Sequence, residues 1–199
     1  MTETIVYLPK EQWKGTAVPI RYTTATYYDV SVVQTVSGFA VAFEKKPFRK
    51  AITHTPEEYD FPDRLYADWW DGAEAYGIVR DGKLTAAIEL WPEEWSNRLR
   101  VTELWVSEPL RGQGIGHALM NIAKEHAIRD RNRAVMLETQ SCNVNAIGFY
   151  LHEGFALIGF DACAYQNNDI ERREVRMEMG WFNPGASTRS NSPQRKEQA

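Results

Sequence analysis

The chain predicts an α/β domain, and three observations carry that prediction. First, the apolar stretch Leu104-Trp105-Val106 runs into a glycine-spaced turn, Arg111-Gly112-Gln113-Gly114-Ile115-Gly116, that opens an amphipathic helix; Ala134-Val135-Met136-Leu137-Glu138-Thr139 follows as a short buried strand. Strand, turn, helix and strand make a βαβ unit. Second, Asp81-Gly82 separates the β-rich runs Tyr76-Gly77-Ile78-Val79 and Leu84 to Leu90, a strong hairpin signal. Third, Val175, Met177 and Met179 alternate with Glu174, Arg176 and Glu178, the period of a half-buried strand.

The glycine turn is read as a phosphate cradle. Glycines at alternating positions leave backbone N–H groups bare, the helix N-terminus adds partial positive charge, and Arg111 adds a formal charge at the rim. Two familiar cradles do not fit it. A P-loop needs Lys-Ser/Thr where this chain has His117-Ala118 after Gly116, and Gly-x-Gly-x-x-Gly counted from Gly112 or Gly114 lands on His117 or Leu119.

The helix after the cradle carries Ile115, Leu119, Ile122, Ala123 and His126-Ala127 along one stripe, with Lys124, Glu125, Arg129 and Asp130 expected to point away. Arg129, Arg131 and Arg133 gather at its end, where cations favour the dipole. A second helix is predicted from Asn143 as N-cap to Gly154 as the residue just past its end. Asn143 and Tyr150 are close to two turns apart on it, about 10 Å along the axis, so one extended ligand can touch both.

The pattern Arg/Gln-x-x-Gly-x-Gly/Ala is met by Arg111, Gly114 and Gly116, and Asn143-x-x-Ala146-x-x-x-Tyr150 with Gly154-Phe155 stands about thirty residues on. With these elements the chain resembles the GNAT superfamily of acetyl-CoA-dependent N-acetyltransferases. The resemblance implies a central mixed, mostly antiparallel sheet flanked by helices. It implies acetyl-CoA as cosubstrate, held by Leu104, Trp105, Val106, Arg111, Gly112, Gln113, Gly114, Ile115, Gly116, Asn143, Ala146 and Tyr150. Asn143 would contact the pantetheine arm, and the Tyr150 hydroxyl would protonate the departing thiolate; taken without the cradle, the pair would read as a capping Asn and a half-buried core Tyr.

Within that superfamily the chain is similar to streptothricin acetyltransferases. The likeness rests on Ala87-Ile88-Glu89-Leu90 with Trp95, Thr102 to Ser107, Leu137 to Gln140 with Asn143 to Ala146, Gly159-Phe160-Asp161 with Ala164-Tyr165, Tyr28-Asp29-Val30 and Pro47 to Lys50. It covers residues 27–182 and implies acetylation of the amino group of the β-lysine arm of that antibiotic. A polyamine or a peptide N-terminus as acceptor, or a non-catalytic acetyl-CoA-binding module, are the alternatives; Tyr150 argues for catalysis.

A cationic amine substrate would need carboxylates and aromatic faces. Trp69, Trp70 and Asp71, in the loop Asp68-Trp69-Trp70-Asp71, and Asp161 are candidates to bind it, against a reading in which the tryptophans anchor the core and the acids are solvated. The attacking amine must be neutral, so a base is required, and Glu103 and Glu89 are the candidates because each interrupts an apolar strand. The alternative pairs them with Arg98 or Arg100, or sets them at a wet edge.

With 199 residues, 43% hydrophobic and 25% charged, the chain suits one globular core. A net charge of −4 offers no basic footprint for nucleic acid and a mild bias toward cationic partners. No signal peptide or membrane span is read, and Cys142 and Cys163 lack metal-ligand spacing, so a cytoplasmic protein without a metal is expected, with homodimerisation left open. Cys142 is read as a packing residue with no base beside it. Residues 1–26 are hard to assign. Tyr27 to Glu44 reads as a hairpin turning at Ser37-Gly38, and residues 45–72 as irregular structure with one short helix near Pro56 to Tyr59 or Asp63 to Trp70. Phe155 to Phe160 reads as a strand, and from Asn183 to residue 199 the composition is that of a loose tail.

Overall fold

The computed structural model describes residues 3–58 and 63–186. In chain order its elements are β1 (Val6–Tyr7), α1 (Lys10–Trp13), β2 (Tyr22–Thr35), β3 (Gly38–His54), β4 (Glu74–Arg80), β5 (Lys83–Glu93), β6 (Arg98–Val106), α2 (Ile115–Arg129), β7 (Ala134–Gln140), α3 (Val144–His152), β8 (Ala156–Asp161), α4 (Asp169–Arg172) and β9 (Arg176–Phe182). Seven strands form one sheet in the order β1-β4-β5-β6-β7-β9-β8. Within it β6 and β7 run parallel and every other neighbouring pair antiparallel.

Local chemistry explains the joints. Asp81 and Gly82 both take positive φ, 49° and 74°, which the two-residue turn between β4 and β5 requires. Gly154, at φ 84°, follows α3 in the left-handed conformation that ends helices without a Cβ penalty.

Two apolar clusters lie on the two faces of the sheet. On the front, Ile88, Leu90, Leu99, Val101, Val135 and Leu137 meet Leu119, Met120 and Ala123 of α2. The stripe read from sequence is buried as expected at Ile115, Leu119, Ala123 and Ala127; Met120 joins it. Lys124 does not point away: its Nζ donates to both the carboxylate and the carbonyl of Glu153, at 2.8 and 2.9 Å. On the back, Leu8, Val18, Leu65, Tyr66, Ala75 and Ala87 form the second cluster. The N-terminal segment thus supplies part of the core.

The expected N-terminal hairpin exists but is longer, pairing Tyr22 with His54 at its base and Thr35 with Gly38 at its tip, so the turn residues are Val36 and Ser37. Residues 45–54, expected to be irregular, belong to β3. Pro47 pairs with Thr26 where the register shifts between Thr24 and Thr26, the kind of irregularity at which a strand tolerates proline. Pro56–Glu58 form a single 3-10 turn, residues 59–62 lie outside the described residues, and Asp63 to Trp70 is not helical. Asn183, where the loose tail was expected to begin, is buried and donates from Nδ2 to the carbonyls of Ala127 and Asn132. Residues 187–199 fall outside the described residues.

Candidate active site

The parallel pair β6–β7 is joined only at its start, from Arg98–Ala134 to Arg100–Met136. Beyond Arg100, β6 stays with β5 as far as Val106 and β7 stays with β9 as far as Gln140. The two strands therefore diverge, and the C-terminal half of β6 presents backbone N–H and C=O groups to a cleft instead of to a neighbouring strand. A cavity of about 640 Å³ lies along this edge, with Leu104, Trp105, Val106, Leu110, Ala146 and Phe149 among its walls.

The glycine turn closes one end of the cavity. Gly112 and Gly114 sit at φ 74° and 78°, and Gly114 is the N-cap of α2 with no side-chain hydrogen bond. No side chain caps the helix, so its first N–H groups are left for an anion. Gly116 has a different reason to be glycine: a Cβ there would lie 3.3 Å from the Phe149 ring. Arg111 works as a brace, its Nε donating to the Val106 carbonyl at 3.0 Å and its guanidinium reaching the Arg21 carbonyl at 3.2 Å. Gln113 stiffens the same turn by donating to the Pro109 carbonyl at 2.8 Å. An uncapped helix N-terminus for phosphates, followed by an apolar slot along an open strand edge, fits coenzyme A.

The second helix brings two more expected residues to the cavity. Asn143 Oδ1 accepts from the Ala146 amide at 3.3 Å, so it caps α3 as expected, and the residue lines the slot. Tyr150 is 9% exposed and its ring packs against Phe149 and Phe155. Its hydroxyl makes no hydrogen bond among the described residues, and burial, aided by the charge of Glu103, pushes its pKa up to about 12. The group is a held proton beside the cleft.

On the back face, Glu89 and Glu103 are direct cross-strand partners. Neither pairs with Arg98 or Arg100, which serve Glu93 and, for Arg100, Glu138 at 3.5 Å. Glu89 is fully buried and accepts from the Tyr66 amide and from Thr102 Oγ1 at 2.7 Å. Glu103 is 9% exposed and has no hydrogen-bond or ion-pair partner among the described residues. Burial lifts its carboxyl well above the usual carboxylate range, and the charges of Asp63, Glu89 and Glu138 add to the rise.

The proposed substrate residues are scattered around this face. Trp70 packs at a tilt against Trp91, two residues along β5 from Glu89, whereas Trp69 is exposed and Asp71 lies 3.4 Å from Lys10. Asp161 ends β8; it accepts from the Cys163 amide at 3.0 Å and lies 3.4 Å from Arg176, which also reaches Glu138 at 3.7 Å. Asp63 and Glu138 were not read from sequence, although Glu138 carried a signal as the lone charge in a buried strand. Cys142 does have a base beside it, His54 Nε2 at 3.6 Å, yet burial raises its thiol to about 11 and it stays a protonated packing residue. Among the described residues no cluster of three metal-ligating side chains occurs, and no helix is long and apolar enough to cross a membrane.

A splayed parallel strand pair leading from a bare helix N-terminus defines an acyl-CoA-binding transferase. The chain belongs to the Acetyltransferase (GNAT) family, whose model it matches over residues 40–155, and is an acetyl-CoA-dependent N-acetyltransferase. It is 32% identical over 159 residues to a streptothricin acetyltransferase of Streptomyces lavendulae, across 75% of this chain and 79% of that one. To a streptothricin acetyltransferase of Escherichia coli it is 32% identical over 112 residues, 56% of this chain and 64% of that protein, so this match spans less than two thirds of the relative. A candidate streptothricin acetyltransferase from Bacillus anthracis str. Ames, crystallised with acetyl coenzyme A, shares the fold with a TM-score of 0.67 at 20% identity, over 92% of this chain and 98% of that one.

Proposed function

We propose that this enzyme acetylates an amino group on the β-lysine arm of streptothricin, by direct attack of the amine on acetyl-CoA within a ternary complex. The observation that carries the reading is a pair of groups: the Tyr150 hydroxyl, which lines the cleft and keeps its proton, and the Glu103 carboxyl, 9% exposed and without a partner among the described residues, whose charge Tyr150 feels. The relatives named streptothricin acetyltransferase supply the acceptor.

The division of labour follows from proton inventory. An ammonium has no lone pair, so Glu103 takes a proton from the incoming amine, and burial, by raising its pKa well above the usual carboxylate range, makes it a stronger base. Backbone amides near Trp105 and Val106 polarise the thioester carbonyl, the new C–N bond forms as the C–S bond breaks, and Tyr150 gives its proton to the sulfur. The Gly112–Gly116 turn and the first turn of α2 hold the diphosphate, which fixes the thioester against the cleft.

The test is mass spectrometry of streptothricin, spermidine and short peptides after incubation with the enzyme and acetyl-CoA. Acetyl addition to streptothricin, mapped by fragmentation to the β-lysine arm, is the expected result. Efficient modification of spermidine or peptides with streptothricin left intact would overturn the acceptor.

A further inference from the structure

We propose that the outer edge of β3, from Phe39 to Phe43, is a homodimer interface: a second copy of the chain adds its own β3 antiparallel to it, about a two-fold axis at Val41, and the two hairpins become one four-stranded sheet.

The ribbon β2–β3 is fastened to the body only near its base. The Tyr28 amide donates to the Ser141 carbonyl at 2.9 Å, Asp29 accepts from Arg173 at 2.8 Å, and Val30 is buried while its partner Phe43 meets the Phe160 ring edge-on at 5.4 Å. Beyond this point Val32, Val33, Val36, Phe39 and Val41 are all exposed, and residues 30–43 carry no charged side chain. Two strands alone make a marginal unit in water, and an apolar one more so. The rest of β3 is guarded as edge strands usually are, by Lys45, Lys46, Pro47, Arg49 and Lys50. The guard stops where the bare segment begins.

Backbone alternation fixes which groups that segment offers. Thr35 and Gly38 close the two-residue turn and bond to each other, so Ala40 and Ala42 also bond inward to β2, and Phe39, Val41 and Phe43 turn their N–H and C=O groups outward. The same alternation sends Tyr28 outward on β2, where its amide does find the body. Among the described residues no backbone bond from outside the ribbon reaches residues 38–43.

Any added strand would satisfy those groups, but the side chains select this chain. Phe39-Ala40-Val41-Ala42-Phe43 reads the same in both directions, so an antiparallel copy centred on Val41 sets Val41 opposite Val41, Phe39 opposite Phe43 and Ala40 opposite Ala42. In that register the outward-facing residues meet one another, and the large side chains of both copies share the face that already starts at Val30 and Phe43. With β2 tied to the body, the contact is isologous and closes at two copies.

Sedimentation equilibrium of the full chain should show a reversible monomer–dimer equilibrium. Val41→Lys, at an exposed site, sets two ammonium groups opposite each other and should raise the dimer dissociation constant about tenfold or more. Register is read by cross-linking in a Cys163→Ser background, which removes the exposed native thiol. In a hydrogen-bonded pair the Cα atoms lie about 5.5 Å apart, inside the disulfide range of roughly 4.4–6.8 Å, so Val41→Cys should form a symmetric disulfide on mild oxidation. Ala40→Cys, offset from its copy by two residues, should not. A wild type that stays monomeric at every concentration, a dimer that Val41→Lys leaves intact, or equal cross-linking of the two cysteine variants would overturn the proposal.

Discussion

Glu89 and Glu103 occupy equivalent, facing positions on adjacent strands, yet two donors hold the first carboxylate and none among the described residues holds the second. The difference separates the two candidates read from the sequence, in favour of Glu103, the one placed first there. A carboxylate bonded to a backbone amide and a threonine is a fixed acceptor that ties residue 66 to the sheet; one with free lone pairs is available to a substrate proton.

Glu103→Gln should therefore lower kcat by roughly 10²- to 10⁴-fold, the usual contribution of a general base. Its effect on stability should have the opposite sign. Because the folded-state pKa is raised, the native protein binds this proton more tightly than the unfolded chain, and stability falls as pH rises from the unfolded pKa, about 4.3, through the folded one. At pH 8 the wild type carries that cost and the glutamine variant does not. Its Tm should exceed the wild type's at pH 8, and the gap should close toward pH 4. A kcat near the wild-type value in the variant would return Glu103 to a structural role.

Tyr150→Phe keeps the ring against Phe149 and Phe155 and deletes only the hydroxyl. With the proton donor gone, kcat should drop by up to roughly 10²- to 10⁴-fold, whereas the dissociation constant for acetyl-CoA should hardly move. Since the hydroxyl of Tyr150 makes no hydrogen bond among the described residues, the variant should also fold with close to wild-type stability. Unaltered turnover would make the tyrosine a wall of the cavity and nothing more.

The cradle, the Asp81-Gly82 turn and the Asn143 cap were legible because each is decided within a few residues, by positive φ or by one side chain reaching its own backbone. The whole buried stripe of α2 except Met120 was legible for the same reason. What was not legible depends on chain segments far apart in sequence. The second half of β3 was hidden because residues 45–54 show no period, and only their pairing with β2, across a register shift, makes them a strand. Arg98 and Arg100 were natural partners for Glu89 and Glu103 by distance in sequence, but the turn at Glu94–Ser96 brings Glu93 to them first. Asp63 sat in a stretch without period, and the segment that carries it meets β5 only where the Tyr66 amide bonds to Glu89.

Gly114 is the position where the cradle is most exposed to test. Its φ of 78° disfavours any β-branched residue, and open space around its Cβ position means that strain, not collision, sets the cost. Gly114→Val should destabilise the unliganded fold by on the order of 1–3 kcal/mol and rotate the amides that face the phosphates. Acetyl-CoA at a hundred times its dissociation constant should stabilise the wild type by about 2.7 kcal/mol and the variant at the same concentration by little. An equal thermal shift in both would remove the phosphate cradle from this turn.

Salt should distinguish the two substrates. The acceptor meets carboxylates, and attraction between exposed charges is screened beyond about 8 Å at physiological ionic strength. Raising salt should then increase the KM for streptothricin. Asp71 is already beside Lys10 and Asp161 beside Arg176, so neutralising either, as Asp71→Asn or Asp161→Asn, should raise that KM only modestly at low salt. Bacteria expressing the chain should survive streptothricin, and those expressing Tyr150→Phe should survive less well. A KM for streptothricin that is flat from low to high salt would mean that its positive charges are not what the back face reads, and that the acids there serve the reacting amine alone.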